Sequence, residues 1–153
     1  SWKASPPGDF VFTCPPYFDL EVYSDDPADI SNAEDVNDFF DLLHSSFEHA
    51  DKQLKNNRFA CVVMGEVRDD NGPLHSMIGK TVEAARKVGW EYYNDAILLT
   101  AVGSLALRAG RIFSGGRKLG RSHQYVLVFC KGDWKKAHEE CGPLTDLVAD
   151  LEE

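Results

Sequence analysis

Cys14 and Tyr17 are the residues whose types and spacing could do chemistry. They flank two prolines, Pro15 and Pro16, directly after the apolar, β-prone run Phe10-Val11-Phe12-Thr13. Proline fixes φ, donates no hydrogen bond and pushes its predecessor out of the helical region. Thr13 to Pro16 is therefore expected to be a rigid, extended corner at the end of a buried strand. The corner would present a thiol, a backbone carbonyl and a phenol ring: a weak acceptor, a strong acceptor and a flat stacking surface. In open α/β sheets ligands bind at the carboxyl ends of the strands, which is where this corner would sit. Taken alone, the stretch reads equally well as a proline-rich turn after a core strand.

The elements that must position this corner follow from periodicity. Residues 19–32 form a polar, acidic loop long enough to be a candidate lid, and its Phe18 and Tyr23 flank could reach a ligand or anchor the loop on the core. Ser31-x-x-Glu34 is a capping-box pattern, and Val36, Phe39, Phe40, Leu43, Phe47, Ala50 and Leu54 follow at helical spacing, predicting a helix over 33–54. A buried strand is expected over 58–64, ending at Gly65, with Glu66 and Arg68 near the crevice either as substrate-orienting groups or as a loop-tying ion pair. Asp70 to Pro73 is a turn by composition. A helix over 76–88 with Gly89 at its C′ position, strands over 92–102 and 124–130, and a helical tail over 134–153 broken at Gly142-Pro143 complete the reading.

The net charge of −9 argues on its face against a polyanionic partner, but its distribution is uneven. Between Lys3 and Lys52 there is no cation, whereas the segment 104–123 carries Arg108, Arg111, Arg117, Lys118 and Arg121, ending at His123, without one acid. Its glycines let backbone approach phosphate closely and its arginines supply bidentate donors, so it is expected to be a basic loop between the last two strands that contacts phosphate. It lacks the ending of a Walker A loop. Cys14, Cys61, Cys130 and Cys141 contain no C-x-x-C pair and are read as reduced thiols of a cytoplasmic protein. His44 with His49, and His138 with Cys141, are poor metal pairs, so no metal is expected. No apolar run approaches membrane-spanning length.

Thr13-Cys14-Pro15-Pro16-Tyr17 resembles the (D/N/S)-P-P-(Y/F) motif of S-adenosylmethionine-dependent DNA methyltransferases that modify exocyclic amines. Residues 17–32, 64–69, 102–111 and 117–124 are similar in turn to phage and bacterial DNA methylases, so the likeness covers about residues 9–143. It implies an α/β fold, a partial Rossmann-like sheet with its last strand antiparallel. It further implies that Cys14 and the Pro15 carbonyl accept hydrogen bonds from the target amine and that Tyr17 stacks on the flipped base. Pro16 completes the motif, and Thr13, Cys14 and Tyr17 would line one side of the cofactor pocket. Phe18, Tyr23 and the cations from Arg108 to Arg121 with His123 would contact DNA.

Cys at the first motif position is more similar to the cytosine-N4 branch than the Asp or Asn of adenine-N6 enzymes. Cytosine-C5 enzymes, which attack the base through a thiolate, place Pro before Cys, the reverse of the order here. The F-x-G-x-G turn and the ribose-binding acid of a cofactor site are not found. The resemblance therefore implies a catalytic and target-binding half over 9–143, between a disordered lead-in over 1–8 and a helical tail over 144–153. The cofactor-binding half would lie upstream in the same gene or in another chain. The competing reading is a non-catalytic nucleic-acid-binding or assembly module that keeps the fold, and a weaker one is transfer to RNA or protein glutamine.

Overall fold

The computed structural model describes residues 6–18, 23–26 and 29–143. In chain order these form β1 (Gly8–Thr13), a short 3-10 helix (Ile30–Asn32), α1 (Val36–Gln53), β2 (Leu54–Met64), α2 (Met77–Lys87), β3 (Trp90–Leu99), α3 (Leu105–Gly116), β4 (His123–Lys131) and α4 (Trp134–Cys141). The strands make one mixed sheet in the order β1-β2-β4-β3. β1 runs parallel to β2, and β4 runs antiparallel to both its neighbours. The expected α/β architecture with an antiparallel last strand is present.

One face of the sheet carries the core. Val11 pairs with Ala60 and Ala60 with Phe129, while Val62 pairs with Leu127, so these side chains share a face by the two-residue period of strands. Phe39, Leu43 and Phe47 of α1 and Met77, Ala84 and Ala85 of α2 close over it, and Trp90 is fully buried among them. Each large apolar side chain among these contributes about 1.5–3 kcal/mol through burial. On the opposite face Phe59 packs against Tyr93 and Tyr93 against Trp134 of α4.

Several boundaries differ from the expectation, each for a local reason. α1 begins at Val36, capped by Asp35, whose carboxylate accepts from the backbone N–H groups of Asn37 and Asp38. The anticipated capping box fails because Ser31 is already committed to the 3-10 helix, where Asp29 takes both its N–H and its hydroxyl. β2 starts at Leu54 with no intervening loop. Lys131 makes this possible by donating to the carbonyl oxygens of Asp51 and Leu54 and pairing with the Asp51 carboxylate at 2.9 Å, which satisfies the helix end. Trp90 donates its indole N–H to the same carboxylate at 2.8 Å.

β1 is not the buried strand expected: it lies at the sheet edge, and Phe10 and Phe12 are 57% and 66% exposed on the face opposite the core. β3, anticipated over 92–102, spans Trp90–Leu99 and is mostly exposed. The segment 104–123 is not a loop throughout, because Leu105–Gly116 is helical. Leucine, alanine and arginine are strong helix formers, and their propensity outweighs the single interior Gly110, which costs about 1 kcal/mol. The helix stops where Arg117 takes a left-handed conformation. α4 ends at Cys141 with Gly142 as its cap, the second helical piece expected after Pro143 lying outside the described residues, and the Gly89 terminus appears as expected, at φ +89°. Of the expected lead-in over 1–8, residues 1–5 lie outside the described residues and Gly8 already belongs to β1, while the tail over 144–153 lies outside the described residues.

Candidate active site

Residues 14–17 have no regular structure and turn away from the end of β1, as the two prolines require. Pro15 is buried, Cys14 is exposed, and Tyr17 is half-buried. The Cys14 sulfur lies 3.7 Å from the Tyr17 hydroxyl, so the first and last motif side chains meet across the prolines. On one side of the corner a groove of about 250 Å³ opens between β1 and α1. Val11, Thr13, Cys14, Pro15 and Pro16 form one wall, and Leu43, Ser46 and Phe47 of α1 form the other. The Tyr17 ring lies beside Gly65, and its hydroxyl accepts a hydrogen bond from the Gln124 side-chain amide.

Of the residues expected to line a cofactor pocket, Thr13 and Cys14 line this groove and Tyr17 does not. The groove is mainly apolar, with a thiol and two hydroxyls as its polar groups. Among the described residues its lining contains no carboxylate to bind a ribose.

Phe18 takes a left-handed conformation at φ +44°, unusual for a bulky residue. Its ring packs edge-on against Phe39 and His75, at 6.0 and 5.6 Å, so it anchors the chain to the core. Tyr23 is exposed, and its backbone N–H donates to Ser31. The described part of the acidic loop is knit by Ser24 donating to Asp29 and by Asn32 donating to the carbonyls of Ser24 and Asp26. Hydrogen bonds from the Ser31 N–H, the Ser24 hydroxyl and the Ser31 hydroxyl hold the Asp29 carboxyl below its usual range.

Glu66 and Arg68 serve the backbone. The Glu66 carboxylate accepts from the N–H groups of Met77 and Ile78 at the start of α2, where Ser76 offers no side-chain cap. Arg68 donates to the carbonyl of Gly72 at 2.7 Å. The two do not form the ion pair that the sequence allowed.

The basic segment meets the corner at its base. Arg121 donates to the Glu66 carbonyl at 3.3 Å, His123 packs edge-on against Tyr125, and the next residue is the Gln124 that reaches Tyr17. Arg117 stacks over the Phe113 ring, and the Lys118 stem lies beside Gly116. Arg108 and Arg111 are exposed on α3. Two residues that the sequence did not single out belong to this site, Gly65 and Gln124. No sequence signal could pair Gln124 with Tyr17 across so long a separation.

No family model matches the chain, and no curated protein matches it. Solved structures do. TTHA0409 of Thermus thermophilus, assigned as a DNA modification methylase, superposes in its complex with S-adenosyl-L-methionine at a TM-score of 0.59 and 19% identity. That match covers 85% of this chain and 51% of the other. PvuII DNA methyltransferase, which is cytosine-N4-specific, superposes at 0.58 and 15% identity over 91% of this chain and 50% of its own. The chain has the fold of DNA methyltransferases and spans about half the length of these structures.

Proposed function

We propose that this chain is the catalytic and target-binding half of an S-adenosylmethionine-dependent DNA methyltransferase acting on an exocyclic amine, cytosine N4 in preference to adenine N6. The observation that carries the reading is the open corner itself, where thiol and phenol converge beside the base of the arginine-bearing segment. The shared fold supports it, and Cys14 in place of Asp or Asn favours cytosine.

An exocyclic amine is a poor nucleophile because its lone pair is delocalised into the ring. Acceptors at Cys14 and the Pro15 carbonyl would draw its N–H groups out of the ring plane, restoring a directed lone pair on nitrogen. Tyr17 would hold the extruded base by stacking, which contributes about 1–3 kcal/mol per base. Arg108, Arg111, Arg117, Lys118 and Arg121 would hold the phosphates, and Pro16 keeps the corner stiff. S-adenosylmethionine, when bound, would supply the electrophilic methyl group, with Thr13 and Cys14 forming part of its enclosure. The other part would come from a cofactor-binding half in the same gene or a partner chain.

The test is incubation of the full-length gene product with labelled cofactor and duplex DNA, followed by identification of the methylated nucleoside. N4-methylcytosine is the expected product, and Tyr17→Ala should abolish transfer while leaving the fold intact. Undiminished turnover in that variant would remove Tyr17 from the mechanism.

A further inference from the structure

Tyr17 ends an irregular segment, and tyrosine χ2 is a broad torsion, so the corner alone does not fix the plane of its ring. Gly65, just past the end of β2, and Gln124 of β4 both hold it. Met64 pairs with Tyr125 across β2 and β4, which places the following Gly65 opposite Gln124 at the same sheet edge. Gln124 donates to the Tyr17 hydroxyl and holds the far end of the ring. Gly65 admits its flank: a methyl group on Gly65 would lie 3.0 Å from Tyr17 Cε1, with Cδ1 at 3.6 Å and Cζ at 3.7 Å.

The conformation of Gly65 makes this informative. The backbone there is not in the left-handed region, unlike that of Gly72 or Gly89, so no turn requires a glycine. The missing side chain is accounted for by the ring that occupies its space. The phenol oxygen also lies within 3.7 Å of the Cys14 sulfur, so fixing the ring fixes the distance between the stacking surface and the thiol.

We propose that Gly65 and Gln124 are positioning residues that set the plane of Tyr17 for the target base. The inference rests on the reading of Tyr17 as the stacking residue and extends it to two positions far apart in sequence. A glycine is required at one contact and a hydrogen-bond donor at the other. Arg121, bonded to the carbonyl of the residue after Gly65, ties the DNA-gripping segment to the same place.

Two measurements on the 153-residue chain test it. The first labels tyrosine rings with carbon-13 and compares wild type with Gln124→Leu and Gly65→Ala by NMR. The Tyr17 ring signals should shift and lose their ordered character in both variants while the melting temperature stays near that of wild type. Unchanged Tyr17 signals would overturn the clamp.

The second titrates a single-stranded oligonucleotide containing 2-aminopurine, whose fluorescence is quenched when the base stacks on an aromatic ring. Gln124→Leu should weaken quenching by about three- to tenfold, the scale of one lost hydrogen bond. In a Tyr17→Phe background the same substitution should change nothing, because the hydroxyl it acts through is gone. Full additivity of the two substitutions would overturn the positioning role. If wild type failed to quench 2-aminopurine, the base-stacking reading would fall, and the NMR comparison separates that failure from a failure of the clamp.

Discussion

The face of the sheet under α1 and α2, with Trp90 at the start of β3, and the arm formed by the rest of β3 and α3 are built on opposite terms. The first buries Phe39, Val62, Met64, Met77, Trp90 and Phe129 to zero exposure. The second buries nothing along α3, leaves Leu107 89% exposed, and joins the sheet through the pairing of β3 with β4. Buried apolar side chains are concentrated in the first region, whereas α3 carries Arg108 and Arg111 without an acid. Segments that must reach a ligand are drawn from the weakly packed end of a structure, because local opening there costs little of the global free energy.

The contrast can be broken at its strong end first. Trp90→Ala removes a ring packed against Phe47 and Phe129 and leaves the Asp51 carboxylate without the indole donor. Denaturant unfolding should show a loss of about 3–5 kcal/mol. A loss near zero would mean that the core lies elsewhere.

Replacing Arg108 and Arg111 together with alanine tests the other end. Affinity for duplex DNA should fall, and the slope of log affinity against log salt should flatten by about 2, while the unfolding midpoint stays put. An unchanged salt slope would take these arginines out of the DNA contact.

Smaller effects sharpen the comparison. Burial, then the hydrogen bond to Asp95 and its charge, push the Tyr92 phenol up to about 12. A folded-state value above the unfolded one means the contribution is present in full below the unfolded value near 10. It is lost as pH rises toward 12. Ultraviolet titration should show one tyrosine ionising late, and Asp95→Asn should bring it earlier.

At the helix start, backbone N–H groups of Asp38 and Asn37 hold the Asp35 carboxyl below its usual range. Its stabilising effect is therefore present above about pH 4 and lost as pH falls through the lowered value. Asp35→Ala should lower the melting temperature by about 2–4 °C. Leu107→Ser, on the arm, should leave it unchanged.

Much of this was legible in the chain. The proline corner, the α1 and α2 periodicities and the Gly89 terminus are local patterns, and local patterns survive folding when the core agrees with them. What escaped notice was either a competition or a distance. Asp35 displaced the Ser31 cap because Asp29 had already engaged Ser31. α3 was hidden by its glycines and charges, which suggested a loop. Glu66 capping α2 and Gln124 holding Tyr17 are contacts between segments that only the sheet brings together.

The strand order carries a further consequence for how the molecule comes into being. β2 is central, yet its antiparallel neighbour β4 comes after β3 in the chain, and among the described strands β3 pairs with β4 alone. During synthesis β2 and β3 must both wait for residues 123–131 before either gains that partner, so sheet closure is a late, non-local event. A chain that stopped before His123 would keep the pairing of β1 with β2, leave β3 without a partner, and leave the Tyr17 hydroxyl without its Gln124 donor.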